Sequence, residues 1–232
     1  MDSLIDIAAA RALVADAALW PHVRDFLWDF VPQVHGSWLE DCLGREAQDE
    51  RREDETVASH VPRLMPSPRV KRFVLSALGI EPCFHAFPKD DWSRLILLDG
   101  QELELIVKWL GALACADELR RVTDGKTVRA LKAALPGVYP EVFGYTMYFK
   151  RDEGDMSDER DMGDEAGHVV AVGFSVLMSL LAPLPGFLLS RLKFKLPREY
   201  SKYQTVGPSN GQTVNLPLLL KLRFPEAYRL CC

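Results

Sequence analysis

Residues 94–150, RLILLDGQELELIVKWLGALACADELRRVTDGKTVRALKAALPGVYPEVFGYTMYFK, decide the fold, because helix starts, stops and periodicity agree there. Asp99 is placed to cap a helix, and Glu102, three residues on, completes a capping box. Leu103, Ile106, Val107, Leu110, Leu113 and Ala114 follow at i, i+3, i+4 spacing, which puts them on one helical face. Asp117 is expected to cap a short second piece, LRRV, which the Asp124-Gly125 pair breaks. Val128, Leu131, Ala134 and Leu135 continue the apolar face until Pro136-Gly137 stops it. Pro140, at a first-turn position, restarts the chain. Helical pieces this short, joined by tight turns, predict a compact all-α unit.

On the N-terminal side the spacing predicts a helix over 4–19 and another over 22–31, with Val23, Phe26, Leu27 and Phe30 on one face. Ser37 can cap the short WLEDCLG helix that follows. Arg45 to Glu55 carries six acids and three bases and no apolar residue larger than Ala47, so it cannot be core. HVPRLMPSPR, with three prolines, reads as extended. The expected organisation is therefore an N-terminal helical segment over 1–44, a charged and proline-rich linker over 45–68, and a main helical body over 69–232.

On the C-terminal side, eight carboxylates crowd Asp152 to Glu165 with only Arg160 to offset them. Like charges at that density oppose compaction, so 151–165 is expected to be an exposed acidic loop. An apolar helix over 166–182 follows. FLLSRLKFKLP then begins as helix and ends extended, since Leu192, Phe194 and Leu196 alternate with charges. The fold class is mainly α, a multi-helix body with short turns and at most a minor β element near 192–196. LPLLLKLRF makes the last expected helix, before Pro225.

Composition sets limits. The 232 residues are enough to bury a full core, with 48% apolar and 26% charged residues. A net charge of −5 argues against nucleic acid as partner. From Ser190 onward eight Lys/Arg face two acids, a net of +6 that leaves −11 on the rest. Such a basic C-terminal region could dock an acidic protein surface or anionic lipid. The five cysteines (Cys42, Cys83, Cys115, Cys231 and Cys232) are odd in number and scattered, as in a reducing cytoplasm. The longest apolar run, from His168, meets Pro183 after about fifteen residues, and a span needs ~20, so no transmembrane segment is expected.

The chemistry-bearing patterns are thin. Asp155, Asp158 and Asp161 recur every three residues, which does not match a calcium loop. Cys83 and His85 form a lone C-x-H pair without the other two zinc ligands. Phosphate-binding glycine loops and the G-x-S-x-G elbow are absent. His22, His35, His60 and His168 have no identifiable partner in sequence. No catalytic, cofactor-binding or metal-ligating residue is assigned, and no enzyme is expected. The acidic residues Asp158, Glu159, Asp161 and Asp164 are the candidate electrostatic contact for a partner. Of the five tryptophans, an exposed one among Trp20, Trp28 and Trp38 would mark a partner face.

The stretch WLGALACADELRRVTDG followed by VRALKAALPGVYPEVFGY resembles the SctK (YscK/PscK) family of type III secretion accessory proteins. FVPQVHGSWLED, RLKFKLP and LPLLLKLRFPEAYRL fit the same family. The resemblance implies a non-enzymatic scaffold or adaptor of the cytoplasmic sorting platform. Its implied partners are the pod protein (SctQ-like) and the inner-membrane ring protein (SctD-like), with the stator and ATPase (SctL-like and SctN-like) reached indirectly. It implies a cytoplasmic location at the bacterial inner membrane, held there by protein contacts. The rival expectation is a peripheral membrane-associated helical regulator or chaperone that uses its basic C-terminal region.

Overall fold

The computed structural model describes residues 19–47, 67–80, 91–146, 150–151, 165–203, 212–213 and 215–231. Ten α-helices lie among them: α1 (Trp20–Trp28), α2 (Gly36–Ala47), α3 (Pro68–Ala77), α4 (Gly100–Ala114), α5 (Ala116–Arg121), α6 (Gly125–Ala134), α7 (Glu165–Leu180), α8 (Gly186–Lys195), α9 (Leu216–Arg223) and α10 (Pro225–Cys231). Two-residue strands, β1 (Lys150–Arg151) and β2 (Gln212–Thr213), pair antiparallel with Lys150 opposite Thr213. The protein is thus mainly α. The helix expected over 4–19 and most of the 45–68 linker lie outside the described residues.

The chain gathers into two compact units. The first draws on residues up to 100, on 184–199 and on the last residues from 230; the second draws on 101–183 and 200–229. In the first unit α8 is the central piece. Its expected β element near 192–196 is a correction: Leu192, Phe194 and Lys195 are helical, and only Leu196, the C-cap, is extended. The buried residues Leu188, Arg191, Leu192 and Lys195 explain why, for they share a helical face that includes two cations.

Those cations serve carbonyls. Arg191, 3% exposed, donates through Nη1 to Phe26 O and to Leu27 O, the latter at 3.0 Å. Both carbonyls sit in the last turn of α1, where backbone acceptors have run out of helical donors. The guanidinium also lies over the rings of Phe26 and Phe30, at 5.8 and 5.3 Å. One turn on, Lys195 (1% exposed) donates to Ile96 O and Leu98 O, both at 2.7 Å, with Phe26 4.8 Å away. Burial pulls the Lys195 ammonium down to about 7, opposed by the Asp99 carboxylate. A neutral amine keeps two N–H donors, enough for the two carbonyls.

α2 and the turn before it lock onto the end of α8. Trp38 of α2 donates its indole N–H to Leu196 O at 3.0 Å and meets Phe194 edge to face at 4.9 Å. Arg198 pairs with Asp41, and His35 N–H reaches Phe194 O at 2.8 Å.

The second unit is built on α4 and α7. Of the expected face, Leu103, Ile106, Val107, Leu110 and Leu113 are buried and Ala114 is half-buried; Trp109 and Ala112 are buried as well, so α4 is covered over more of its circumference than its periodicity predicts. Each of these large side chains contributes roughly 1.5–3 kcal/mol gross on burial. The polar edge that remains carries the i, i+4 pair Glu104–Lys108 at 2.7 Å. Gly111 and Gly173 mark the crossing with α7. A Cβ on Gly111 would stand 1.9 Å from Val169 O, and one on Gly173 would stand 1.9 Å from Val107 O. The reciprocal pairing makes the helices antiparallel at backbone contact.

Local chemistry ends the short helices. Asp124, expected to break α5, also caps α6: its carboxylate accepts from Thr127 N–H at 2.8 Å. That bond, with help from the Thr127 hydroxyl and Lys126 N–H, holds the Asp124 carboxyl below its usual range. Asp117 does not cap α5. Cys115 occupies the N-cap position, and Asp117 sits in the first turn. Asn215 caps α9 through Leu218 N–H, and a further helix, α10, follows Pro225 where the sequence predicts an end.

Candidate functional site

The four acids proposed as a partner contact, Asp158, Glu159, Asp161 and Asp164, lie outside the described residues, as do Cys83, His85 and His60. The tryptophans are described except for the side chain of Trp92. Trp109 is 1% exposed, covered by Arg223 at 4.5 Å and by Tyr145 edge to face at 5.3 Å. Trp38 is engaged by Leu196, Phe194 and Arg198. Trp28 differs: it is 48% exposed, and its ring leans on Trp20 at 5.6 Å. Paired indoles at a helix surface are rigid and costly to leave in water, which is the chemistry of an interface anchor.

Part of the basic C-terminal region is taken up by the fold. Arg191 and Lys195 are in the core. Arg198 pairs with Asp41, Arg223 with Glu141 and Arg229 with Glu226. Lys193, Lys202, Lys221 and the Arg229–Glu226 pair stay exposed; Glu226 is already counted in the +6, so the positive face is weakened by the burial of Arg191 and Lys195 and by Asp41 and Glu141. No helix among the described residues is long and apolar enough to cross a membrane.

A cluster invisible in the sequence lies one turn from the glycine crossing. Cys115 is the joint between α4 and α5: its N–H reaches Gly111 O at 2.8 Å, and its carbonyl accepts from Leu119 N–H at 2.9 Å. Glu118, three residues on, shares that face. Because α7 runs antiparallel to α4, its first turns come back to the same place and bring His168. The sulfur of Cys115, a carboxylate oxygen of Glu118 and a ring nitrogen of His168 lie within 4.8 Å of one another. His168 Nε2 and Glu118 Oε2 are 3.7 Å apart, and their side chains are 39% and 34% exposed. Cys115 is 4% exposed. The thiol thus comes from the core side and the other two donors from the solvent side.

Glu165, one turn before His168, has a buried Oε2 with no hydrogen-bond partner among the described residues. Burial first, and the Asp124 carboxylate second, hold its carboxyl above the usual range. The sequence offers only the C-x-x-E spacing at 115–118, which does not by itself reveal the cluster. His168 is fifty residues away, and only the helix crossing supplies it.

Residues 48–140 match the family model described as YOP proteins translocation protein K (YscK). The match covers the central stretch from α3 to the end of α6 and leaves out the segments around α1, α8 and α9. No curated protein and no solved structure matches the chain.

Proposed function

We propose, from the premise that this is a type III secretion protein carrying a YscK-family domain over residues 48–140, that it is a non-enzymatic scaffold of the cytoplasmic sorting platform. It links the inner-membrane ring protein to the pod protein and reaches the stator and ATPase only through them. The family match carries this reading. The helical units agree with it: closely packed elements with buried hydrogen-bonded cations hold surface side chains in fixed positions, as a part that keeps two partners in register requires. Its place is the cytoplasmic face of the inner membrane, reached through protein contacts.

The test is co-purification of the tagged full chain from its native cytoplasm at mild salt, with bound proteins identified by mass. Pod and ring proteins in the eluate support the scaffold. A folded chain that recovers neither overturns it. Trp28→Ala sharpens the experiment. The side chain is half exposed, so its loss costs the fold little, whereas an aromatic anchor typically costs an interface 2 kcal/mol or more, about 30-fold in affinity. Recovery of one partner is expected to drop in Trp28→Ala while thermal stability stays within ~1 kcal/mol. Unchanged recovery of both partners removes Trp28 from the interface.

A further inference from the structure

We propose that Cys115, Glu118 and His168 form a zinc-binding site of three protein ligands, with the fourth position open to solvent. Three observations carry it. The donors are a thiol, a carboxylate and an imidazole, a mixed sulfur, oxygen and nitrogen set that suits a borderline-soft ion and not calcium or magnesium, which take oxygen alone. Their atoms converge. Tetrahedral zinc with ordinary bond lengths separates neighbouring ligand atoms by about 3.4–3.6 Å. The His168–Glu118 separation of 3.7 Å is already near that value, and all three fall within 4.8 Å, so side-chain rotation closes the remainder. Their backbones are also fixed. Cys115 is hydrogen-bonded on both sides of its peptide, and His168 rides on a helix pinned by the Gly111–Gly173 crossing.

A thiol–imidazole–carboxylate relay uses the same residue types and is the competing reading. It requires a reacting carbonyl to reach the sulfur. Cys115 is 4% exposed, whereas the carboxylate and imidazole stand at the rim where an ion enters. Burial of the sulfur obstructs the relay and does not obstruct the metal. Binding exchanges the thiol proton for the ion: one proton leaves to solvent, and the sulfur coordinates as thiolate.

The experiment uses the full-length reduced protein and Co²⁺ as a spectroscopic stand-in for Zn²⁺. One equivalent of Co²⁺ is expected to give a thiolate-to-cobalt charge-transfer band and tetrahedral visible bands, which Zn²⁺ then bleaches. Cys115→Ser abolishes the charge-transfer band, and a Cys83→Ser/Cys232→Ser double variant keeps it. His168→Gln replaces a partly exposed side chain and leaves the fold intact. It weakens Zn²⁺ binding by at least about 100-fold, at or beyond the upper end of what losing an outer-sphere partner does. It also removes the rise in melting temperature that Zn²⁺ gives the unsubstituted chain. The proposal is overturned by the absence of the band in the unsubstituted protein, by its survival in Cys115→Ser, or by unchanged zinc affinity in His168→Gln.

Discussion

Gly111→Ala is expected to destabilise the protein by about 3 kcal/mol, although alanine is the better helix former by ~1 kcal/mol. The sign is decided by distance. The added methyl would meet Val169 O at 1.9 Å and the amide nitrogen of Gly173 at 3.0 Å. These are backbone atoms of another helix and cannot turn aside as a side chain can. α4 and α7 must separate by more than an ångström, and the contacts around Val107, Leu110, Val169 and Phe174 loosen with them. For a chain of this size ~3 kcal/mol lowers the melting temperature by roughly 6–12 °C. Gly173→Ala, with its Cβ 1.9 Å from Val107 O, is expected to do the same. The double variant should cost less than the two together, because the first methyl already opens the crossing. Thermal melts followed by circular dichroism decide it. A melting temperature that stays level or rises in Gly111→Ala removes the close crossing from the account.

The second large effect belongs to α8. Arg191→Ala leaves Phe26 O and Leu27 O without their charged donor and opens a void beside Phe26 and Phe30, which together are expected to cost about 3 kcal/mol. Lys195 is tested through pH. Its folded value of about 7 lies below the unfolded value of 10.5. Below pH 7 both states hold the proton, and the buried charge weighs against folding at every pH there. Between about 7 and 10.5 the unfolded chain keeps a proton that the folded chain has lost, so stability rises with pH by up to ~1.4 kcal/mol per unit. Lys195→Met fills the same space without a titrating group. The stability of the unsubstituted protein, relative to Lys195→Met, should therefore climb from pH 7 to pH 10. A flat difference across that range means the amine is not held in the core as described.

Where signals are local, the residue pattern carried the structure. The face of α4 and the Pro136-Gly137 stop were legible because propensity, periodicity and turn chemistry act within a few residues. The end of α8 was not. Arg191 and Lys195 face inward, and a reading that sends every charge to solvent turns their helix into an alternating strand. The same assumption inflated the basic C-terminal face, since a count of charges says nothing of Asp41 opposite Arg198 or Glu141 opposite Arg223. Asp117 looked like the cap of α5 by type, but the N-cap lies two residues earlier, at Cys115, and the helix starts at Ala116. Least legible was the cluster at Cys115. Its members come from two segments, and the glycines that bring those together are 62 positions apart and individually unremarkable in sequence.

The route of the chain through the first unit has a consequence during synthesis. The helix that closes that unit, Gly186–Lys195, is made almost a hundred residues after the Ile96 and Leu98 carbonyls it serves. At ~5–20 residues per second a ribosome needs about 5–20 s to cover that interval. For that time Phe26, Phe30 and the end of α1 wait on a nascent chain without their cover, which is the condition that recruits a holdase. The second unit's α4–α7 pair is complete earlier, at Leu180. Order of manufacture therefore completes the α4–α7 pair while the beginning of the chain is still open, although the rest of the second unit, 200–229, is made after α8.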